Sequence, residues 1–177
     1  MKQNLELKYF CEDFNKIRNI LKEIGAKKEI VKNQKDYFFN LPIAKNKISP
    51  RLKLRIENKN QELIYYERPN FIKDKNTLAK IELYNVKDKY LLDFLIKTLG
   101  VKAIVEKKRE VWRKDNTVFF LDKVKNVGNI FEIEMQKHSA MTKKDKELFE
   151  SYKNRLIPFL GKIIKGSNVD LVLKNQK

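Results

Sequence analysis

The sequence predicts an α+β fold in which an eight-stranded antiparallel sheet closes into a barrel and helices pack against its outside. Segments in which charged and apolar residues strictly alternate recur along the chain, as is typical of β-strands with one apolar face. Stretches with apolar residues three or four apart indicate three amphipathic helices. Most connections are too short for a crossover, so the strands are expected to pair as antiparallel hairpins, and closure of the sheet would remove its exposed edges.

The first half of the chain is predicted to hold one helix among its strands. Residues 4–10 alternate between polar and apolar types and form the first strand. In residues 13–24 the apolar spacing becomes that of a helix, which Gly25 ends. A segment that contains Pro42 and Pro50 predicts a loop. The other strands of this half are one that ends at about 37–40, then 51–57, 61–68 and about 78–86.

The second half resembles the first. Residues 20–39 and 95–114 superpose without gaps, and each runs from an apolar helix end through a glycine into a strand with alternate basic residues. A duplicated helix-plus-meander unit explains this faint repeat. Asp88 is expected to cap the second helix and Gly100 to end it. The strands that follow lie near 102–113, 116–124 and 129–137.

A third helix is predicted after the last strand. Thr142 with Asp145 three residues later resembles a capping box at its start. Pro158 is expected to disturb its end.

Composition excludes several classes of protein. With 177 residues, the chain is expected to form one domain over 1–177. It has no apolar run near 18 residues, so no membrane span is expected, and its N-terminus lacks the apolar stretch of a signal peptide. The single cysteine, Cys11, excludes an internal disulfide and is interpreted as an inert buried residue. A cytoplasmic location is therefore expected.

The formal net charge is +17, which predicts attraction to polyanions such as triphosphates, nucleic acid or an anionic membrane surface. Lysine, asparagine and isoleucine are abundant throughout, so part of this charge reflects a compositional bias. Net charge alone therefore does not identify a partner.

The polar faces of the predicted strands are grouped by the sign of their charge. If helices cover the apolar faces, these charges lie inside the closed sheet, where unpaired ions are too costly to bury and a ligand is needed. The cationic rows would then bind an elongated polyanion, and Glu6, Glu132 and Glu134 would hold a divalent metal. The basic positions are Lys8, Arg51, Lys53, Arg55, Lys107 and Arg109, and the acidic ones are Glu6, Asp122, Glu132 and Glu134.

An open sheet is the alternative interpretation of this pattern. One face would pack on helices and the other would face solvent, where alternating charge is ordinary.

Six segments in order resemble the CYTH superfamily, which joins class IV adenylyl cyclases with thiamine triphosphatase and also contains inorganic triphosphatases. These segments are NLELKY, RLKLRIE, ELIYYERP, KKREVW, FFLDKVKNVGNIFEIE and GSNVDLVL. ELIYYERP and the closing Gly-Ser-x-x-Asp-Leu are most similar to the class IV cyclase branch. The resemblance covers nearly the whole chain.

The resemblance implies an eight-stranded antiparallel tunnel that binds a triphosphate with Mg²⁺ or Mn²⁺, and class IV cyclases resembling this chain suggest a homodimer. Glu6 is then expected to ligate metal together with Glu132 and Glu134, and Lys8 to contact phosphate. The resemblance gives Glu6, Lys8, Asp122 and Glu134 as catalytic, and it assigns no role to Ser167 and Asp170. The expected phosphate-binding residues are Arg51, Lys53, Arg55, Arg68, Lys80, Lys107 and Arg109.

The chain departs from the family pattern at several positions. Asn4 replaces the first glutamate of the N-terminal motif, which weakens the case for a second tightly held metal. Val118 and Phe120 stand where many relatives have a basic residue and a histidine, and Asn168 stands where a tyrosine is common. These changes affect nucleotide positioning more than triphosphate binding.

Two reactions fit such a site. A cyclase converts ATP to cyclic AMP and pyrophosphate, whereas a triphosphatase lets water attack the terminal phosphorus of tripolyphosphate or thiamine triphosphate. Neither needs a nucleophile–histidine pair, and the only histidine, His138, is interpreted as a surface residue.

A basic nucleic-acid-binding module is a further, less favoured interpretation. In that case the aromatic rings would stack on bases. The candidate rings are those of Phe38, Phe39, Tyr65 and Tyr66.

Overall fold

The computed structural model describes residues 3–42, 48–69, 80–137 and 139–175. The strands are β1 (Gln3–Phe10), β2 (Lys27–Phe39), β3 (Ile48–Glu57), β4 (Asn60–Pro69), β5 (Lys80–Val86), β6 (Val101–Lys114), β7 (Thr117–Val124) and β8 (Gly128–Lys137). The helices are α1 (Phe14–Glu23), α2 (Leu91–Leu99), α3 (Lys143–Leu156) and α4 (Asn168–Asn175). The strands form one antiparallel sheet in the order β1-β8-β7-β6-β2-β3-β4-β5, which confirms the α+β class.

The ends of the helices follow local sequence signals. At α3, Thr142 and Asp145 form the expected capping box, and a 3₁₀ turn that contains Pro158 follows the helix. At α2, the N-cap is Tyr90 rather than Asp88, because the Asp88 carboxylate accepts a hydrogen bond from the Tyr90 amide at 2.8 Å and thus closes the turn before the helix. No helix in the described ranges is both long and apolar enough to cross a membrane.

The internal repeat becomes an approximate two-fold arrangement of the sheet. Gly25 and Gly100, at matching positions of the repeat, both have positive φ, 80° and 68°, where glycine avoids steric strain. The strands that follow them, β2 and β6, pair antiparallel at the centre of the sheet. Asn33 and Lys108 match each other in the repeat and are also partners in the register, so the axis passes between them.

The three helices that were predicted cover one face of the sheet, which we call the outer face. α1 and α3 pack on β1, β7 and β8, where the fully buried Phe119 contacts Tyr152 edge-on with a centroid distance of 5.6 Å. α2 packs on β2 and β3 through Leu95, which meets Phe39 and Leu54. Burying a Leu or Phe side chain stabilises the fold by about 1.5–3 kcal/mol, so these contacts fix which face of each strand points inward.

The opposite, inner face carries the charged residues and is closed at one end by α4, which the sequence did not predict as a helix. Val169 and Val172 of α4 pack with Phe38, Val105 and Ile130 of the sheet. This apolar floor lies at the end of the inner face towards Phe10, and the charged residues follow along the strands.

The sheet is rolled, but the structure does not show the predicted closed barrel. An eight-stranded flat sheet would be about 34 Å wide at roughly 4.8 Å per strand. Nevertheless residues of both β1 and β5, the two ends of the strand order, line one small cavity, so the sheet must curve around it. In the described ranges no backbone pairing joins β1 to β5.

Candidate active site

The inner face encloses a cavity of about 280 Å³. Its charged lining is made of side chains from five strands, at alternate positions where a strand supplies two, as the sequence pattern predicts. Seven of the predicted site residues are brought together here, and Asp36 joins them. The charged lining residues in the described ranges are Glu6, Lys8, Asp36, Lys53, Arg55, Lys107, Arg109 and Glu132.

Asp36 of β2 binds the two cations that project from β3, and we call these three residues the Asp36 cluster. Lys53 Nζ donates to Asp36 Oδ2 at 2.7 Å, and Arg55 donates to both carboxylate oxygens, at 2.7 and 3.0 Å. Asp36 is 3% exposed. Burial alone would raise its pKa, but Lys53 and Arg55 outweigh this effect and hold the pKa well below its usual range.

Asp122 of β7 binds the two cations of β6 in the same way, forming the Asp122 cluster. Arg109 donates to both oxygens of Asp122 at 2.6 Å, and Lys107 Nζ approaches it at 3.3 Å. Asp122 is completely buried and does not line the cavity. The sequence placed Asp122 in the acidic cluster and gave it as catalytic, whereas in the structure it is the counterion of two phosphate-binding candidates.

The two lysines of these clusters both have lowered pKa values. Burial lowers the pKa of Lys53 to about 7, although Asp36 opposes the shift. Burial likewise lowers the pKa of Lys107 to about 8, because Arg109 adds repulsion that Asp122 only partly offsets. Arg55 and Arg109 stay charged because the pKa of each is raised despite burial. The number of positive charges in the cavity therefore depends on pH near neutrality.

Glu6 and Glu132, which we call the acidic pair, lie on neighbouring strands beside Lys8. Lys8 Nζ is 3.2 Å from a Glu6 oxygen and 3.5 Å from a Glu132 oxygen. Glu132 also accepts from Arg109 Nη2 at 3.0 Å. Burial would raise the pKa of Glu132, but Lys8 and Arg109 hold it well below its usual range. Both carboxylates thus meet in one strongly cationic environment.

Glu134 continues the acidic row on β8. It is the register partner of Glu6 and accepts a hydrogen bond from Gln136 at 3.1 Å. Its side chain is half-buried and does not line the cavity itself.

The acidic pair fits Mg²⁺ or Mn²⁺ by donor type, because these ions take oxygen ligands and Mg²⁺ uses one or two carboxylates together with substrate phosphates. Within the described ranges, no three His, Cys, Asp or Glu side chains are gathered closely enough to form a metal centre by themselves. The predicted ligand set of Glu6, Glu132 and Glu134 therefore stays a prediction, in which the substrate completes the coordination.

Arg51 interacts with the C-terminal motif. Its guanidinium donates to Asp170 Oδ1 at 2.8 Å and also to the Ser167 hydroxyl. Asp170 in turn accepts from the amide and the hydroxyl of Ser167, each at 2.8 Å, and so caps the start of α4. Ser167 and Asp170 thereby tie α4 to β3, which is a role that the sequence left unassigned.

Three departures from the family pattern are found on the inner face. Phe120 lies beneath Arg109, with the guanidinium carbon 4.0 Å from the ring centroid, and Val118 is buried beyond it. Asn168 lines the cavity, and its buried Oδ1 atom has no hydrogen-bond partner. Phe120 therefore supports Arg109, a phosphate-binding candidate, while Asn168 leaves an acceptor unsatisfied at the cavity wall.

Some predicted residues fall outside the described part of the structure. This applies to His138 and to the side chains of Asn4, Arg68 and Lys80. The backbone register pairs Lys80 with Glu67, whereas Ile81 and Leu83 line the cavity from the same strand.

The aromatic residues proposed for base stacking are mostly in the core. Phe38, Phe39 and Tyr66 are buried, and Tyr65 is half-buried. Their rings therefore do not form an exposed stacking surface.

Sequence reasoning missed Asp36, although a signal for it exists. In KNQKDYFF, Gln34, Asp36 and Phe38 are two residues apart and therefore share one face of the strand, whereas Tyr37 lies on the other. The pattern thus places the Asp36 carboxylate on the inner face. The segment has too few alternating apolar residues to single out this face before its partner strands are known.

Comparison with known proteins supports this assignment of the fold. The model of the CYTH domain family matches residues 2–159. The Methanocaldococcus jannaschii protein MJ0240, provisionally named an adenylate cyclase, is 30% identical over 149 residues, which cover 82% of this chain and 83% of that protein.

Solved structures are similar over nearly the whole chain. The PH1012 protein of Pyrococcus horikoshii OT3 has a TM-score of 0.75 at 22% identity, with 96% of this chain and 99% of that one covered. A Hippeastrum protein, provisionally named an adenylyl cyclase and described as having a dominant triphosphatase activity, has a TM-score of 0.66 at 14% identity, with 98% and 96% covered. Because the family model matches residues 2–159, which are most of this chain, the chain belongs to the CYTH domain family.

Proposed function

We propose that the protein is a metal-dependent enzyme that acts on the phosphate chain of a triphosphate, and that it converts ATP to cyclic AMP and pyrophosphate. One observation carries this proposal: two Asp-anchored pairs of cations and an acidic pair line the same cavity. A phosphate chain and a divalent cation need these two kinds of side chain side by side.

The four cations of the Asp36 and Asp122 clusters bind the phosphate oxygens in this proposal. Arg55 and Arg109 present planar guanidinium groups, which suit two-point contacts with phosphate, whereas Lys53 and Lys107 act as compact charges. Each cation keeps donor capacity towards the cavity beyond its bond to aspartate. In the cyclase reaction the 3′-hydroxyl oxygen attacks the α-phosphorus and releases its proton to solvent, while the bond between the α-phosphorus and the oxygen that bridges to the β-phosphate breaks. The cations stabilise the charge that develops on the leaving pyrophosphate.

Glu6 and Glu132 would hold Mg²⁺ or Mn²⁺, with Glu134 supporting them from the next position of β8. The metal would supply charge neutralisation and would help to orient the attacking oxygen. Lys8, between the two carboxylates, would then be released towards a phosphate oxygen.

Hydrolysis of a triphosphate is the second candidate, and the size of the cavity favours it. At about 280 Å³, the partly open cavity is at the lower end of the range of sites that hold a drug-sized ligand, roughly 300–1,000 Å³. A phosphate chain fits such a space, while a nucleoside would extend towards the mouth. The Hippeastrum protein of the same fold, described as mainly a triphosphatase, is consistent with this alternative.

A single assay separates the two reactions. ATP and inorganic tripolyphosphate are each incubated with the protein and Mg²⁺ or Mn²⁺, and cyclic AMP, pyrophosphate and orthophosphate are resolved. Cyclic AMP with an equal amount of pyrophosphate supports the cyclase. Orthophosphate without cyclic AMP supports the triphosphatase, and no product with either substrate contradicts the proposal.

A further inference from the structure

We propose that Asp36 is a positioning residue, whose carboxylate holds Lys53 and Arg55 in the orientation in which they bind phosphate. The substrate in this statement rests on the proposed function, but the anchoring of the two cations does not. Asp36 belongs to no predicted metal site, and the sequence assigns it no role.

Both oxygens of Asp36 are bonded to its two partners. Arg55 donates to both oxygens, and Lys53 donates to Oδ2 as well. Lys53 and Arg55 are two residues apart on β3 and project from the same face, so they repel each other. A carboxylate between them offsets this repulsion and fixes two long side chains that would otherwise sample many rotamers.

The opposite half of the sheet shows the same construction with the strands exchanged. In the Asp36 cluster the carboxylate lies on the central strand β2 and the cations on β3. In the Asp122 cluster the cations lie on the central strand β6 and the carboxylate on β7. The two clusters therefore lie on either side of the approximate two-fold axis and present one Lys–Arg pair each to the cavity.

A direct chemical role for Asp36 is disfavoured by its surroundings. A general base must accept a proton, but Lys53 and Arg55 hold the pKa of Asp36 well below its usual range. As a metal ligand Asp36 is less suited than Glu132, because its two oxygens accept three bonds of 2.7–3.0 Å from two cations, whereas one of the two cations at Glu132 is 3.5 Å away. Orientation of its partners is the role that this geometry leaves.

The sign of the effect distinguishes positioning from simple electrostatics. If Asp36 only added negative charge near the phosphates, its removal would strengthen binding of a polyanion. If Asp36 positions Lys53 and Arg55, its removal weakens binding although the net charge becomes more positive. The two views thus predict opposite changes in the dissociation constant.

Lys53 gives a second readout that does not depend on turnover. The charged groups that face it are Asp36 from β2, Arg55 from its own strand and Lys107 from β6. Of these, only Asp36 favours the protonated form. Without it, Lys53 should lose its proton at a lower pH than the value of about 7 in the native protein.

The test compares Asp36→Asn and Asp36→Glu with a control variant, Glu57→Gln. Glu57 is a suitable control because it lies at the end of β3 and bonds to Gln34 and Lys32, which belong to neither cluster. Titration calorimetry with inorganic tripolyphosphate at pH 7 should show about tenfold weaker binding or more for Asp36→Asn, and no loss for Glu57→Gln. Asp36→Glu, which keeps the charge but moves it, should also bind more weakly. Unchanged or tighter binding by both Asp36 variants would overturn the proposal.

Titration of the Lys53 ammonium by NMR separates this proposal from the proposed function. If the native protein does not bind tripolyphosphate, the proposed function fails, while a fall in the pKa of Lys53 in Asp36→Asn still supports the anchoring. An unchanged titration of Lys53 would refute it. Should Asp36→Asn not fold, the same titration in Asp36→Glu decides the question, since a displaced carboxylate must also change the Lys53 titration.

Discussion

Arg109 Nη2 donates to Glu132 at 3.0 Å and to Asp122 at 2.6 Å. One guanidinium therefore links the Asp122 cluster to the acidic pair. The parts of the cavity that are proposed to bind phosphate and metal therefore form one hydrogen-bonded network. Loss of a carboxylate that is bonded to Arg109 is therefore expected to change both metal binding and phosphate binding, and not always in the same direction.

Glu132→Gln is expected to separate the two functions. Loss of the carboxylate removes a metal ligand, so Mn²⁺ binding and turnover should fall, by about 10- to 100-fold. Binding of tripolyphosphate without metal should not weaken, because Arg109 and Lys8 lose a competing anion. Calorimetry with Mn²⁺ alone and with tripolyphosphate in the presence of a chelator measures both. The control is Glu147→Gln on the exposed side of α3, and Mn²⁺ binding equal to that of the native protein would contradict the assignment.

Glu134→Gln is expected to abolish turnover with little effect on the fold. Glu134 faces Glu6 across the β1–β8 pair, where it can contribute to the metal site, and its half-buried side chain adds little to the core. Product formation and thermal unfolding are measured together. Full metal-dependent activity of the folded variant would remove Glu134 from the acidic row of the site.

The sequence predicted most of the fold because its signals are local. Strand alternation, the glycines at 25 and 100 and the capping box before α3 each depend on a few neighbouring residues. The short helix α4 was missed because its apolar residues pack on the inner face, not on the outer one, and its anchor, Arg51, is distant in sequence. Closure of the barrel was predicted but is not confirmed, since it depends on how far the whole sheet curls and not on local patterns.

The candidate site was predicted as a set of charges but not as a set of bonds. Alternation placed Lys53, Arg55, Lys107 and Arg109 on one face, and all four line the cavity. Which carboxylate serves which cation depends on the register of β2 with β3 and of β6 with β7, and a single sequence does not fix these registers. Metal-binding and cation-anchoring carboxylates therefore looked alike.

Arg55→Ala is expected to weaken tripolyphosphate binding about tenfold or more, because a two-point cation is lost from the cavity. If only the repulsion among Arg51, Lys53 and Arg55 on β3 mattered, Arg55→Ala could raise the stability of the fold. The structure reverses this expectation, because Arg55 forms two bonds to the buried Asp36 and its loss leaves that carboxylate with Lys53 only. Urea unfolding should show a loss of stability. Arg113→Ala, which removes an exposed arginine paired with Glu29, is the matched control, and equal effects of the two changes would contradict a special role for Arg55.

Binding of tripolyphosphate is expected to weaken as the pH rises from 7 to 9. The pKa values of Lys53 and Lys107 are lowered to about 7 and about 8, so the cavity loses positive charge in this range. Stability should change in the opposite direction, since between these values and the ordinary lysine value of 10.5 the unfolded chain binds more protons. Lys53→Met should show a smaller pH dependence of binding. A dissociation constant that is constant from pH 7 to 9 would show that both lysines keep their charge.

Glu110→Gln is expected to lower stability without affecting the site. Glu110 lies on the outer face of β6, where Arg18 of α1 donates to both of its oxygens, at 2.6 and 3.1 Å. The hydrogen bond from Arg18 lowers the pKa of Glu110 to about 2, despite partial burial. Because this pair is partly exposed, its loss should cost about 1 kcal/mol at pH 7.

The pH dependence of this loss follows from the lowered pKa. The contribution of Glu110 is fully present above its unfolded pKa of 4.5 and is lost as the pH falls towards about 2. Urea unfolding of the native protein and of Glu110→Gln at pH 7, 5, 4 and 3 should therefore show a stability difference that shrinks below pH 4.5. The affinity for tripolyphosphate should be the same in both proteins, since residues 109 and 110 point to opposite faces of the sheet. A difference that persists unchanged at pH 3 would mean that packing, rather than the ion pair with Arg18, accounts for the stabilisation.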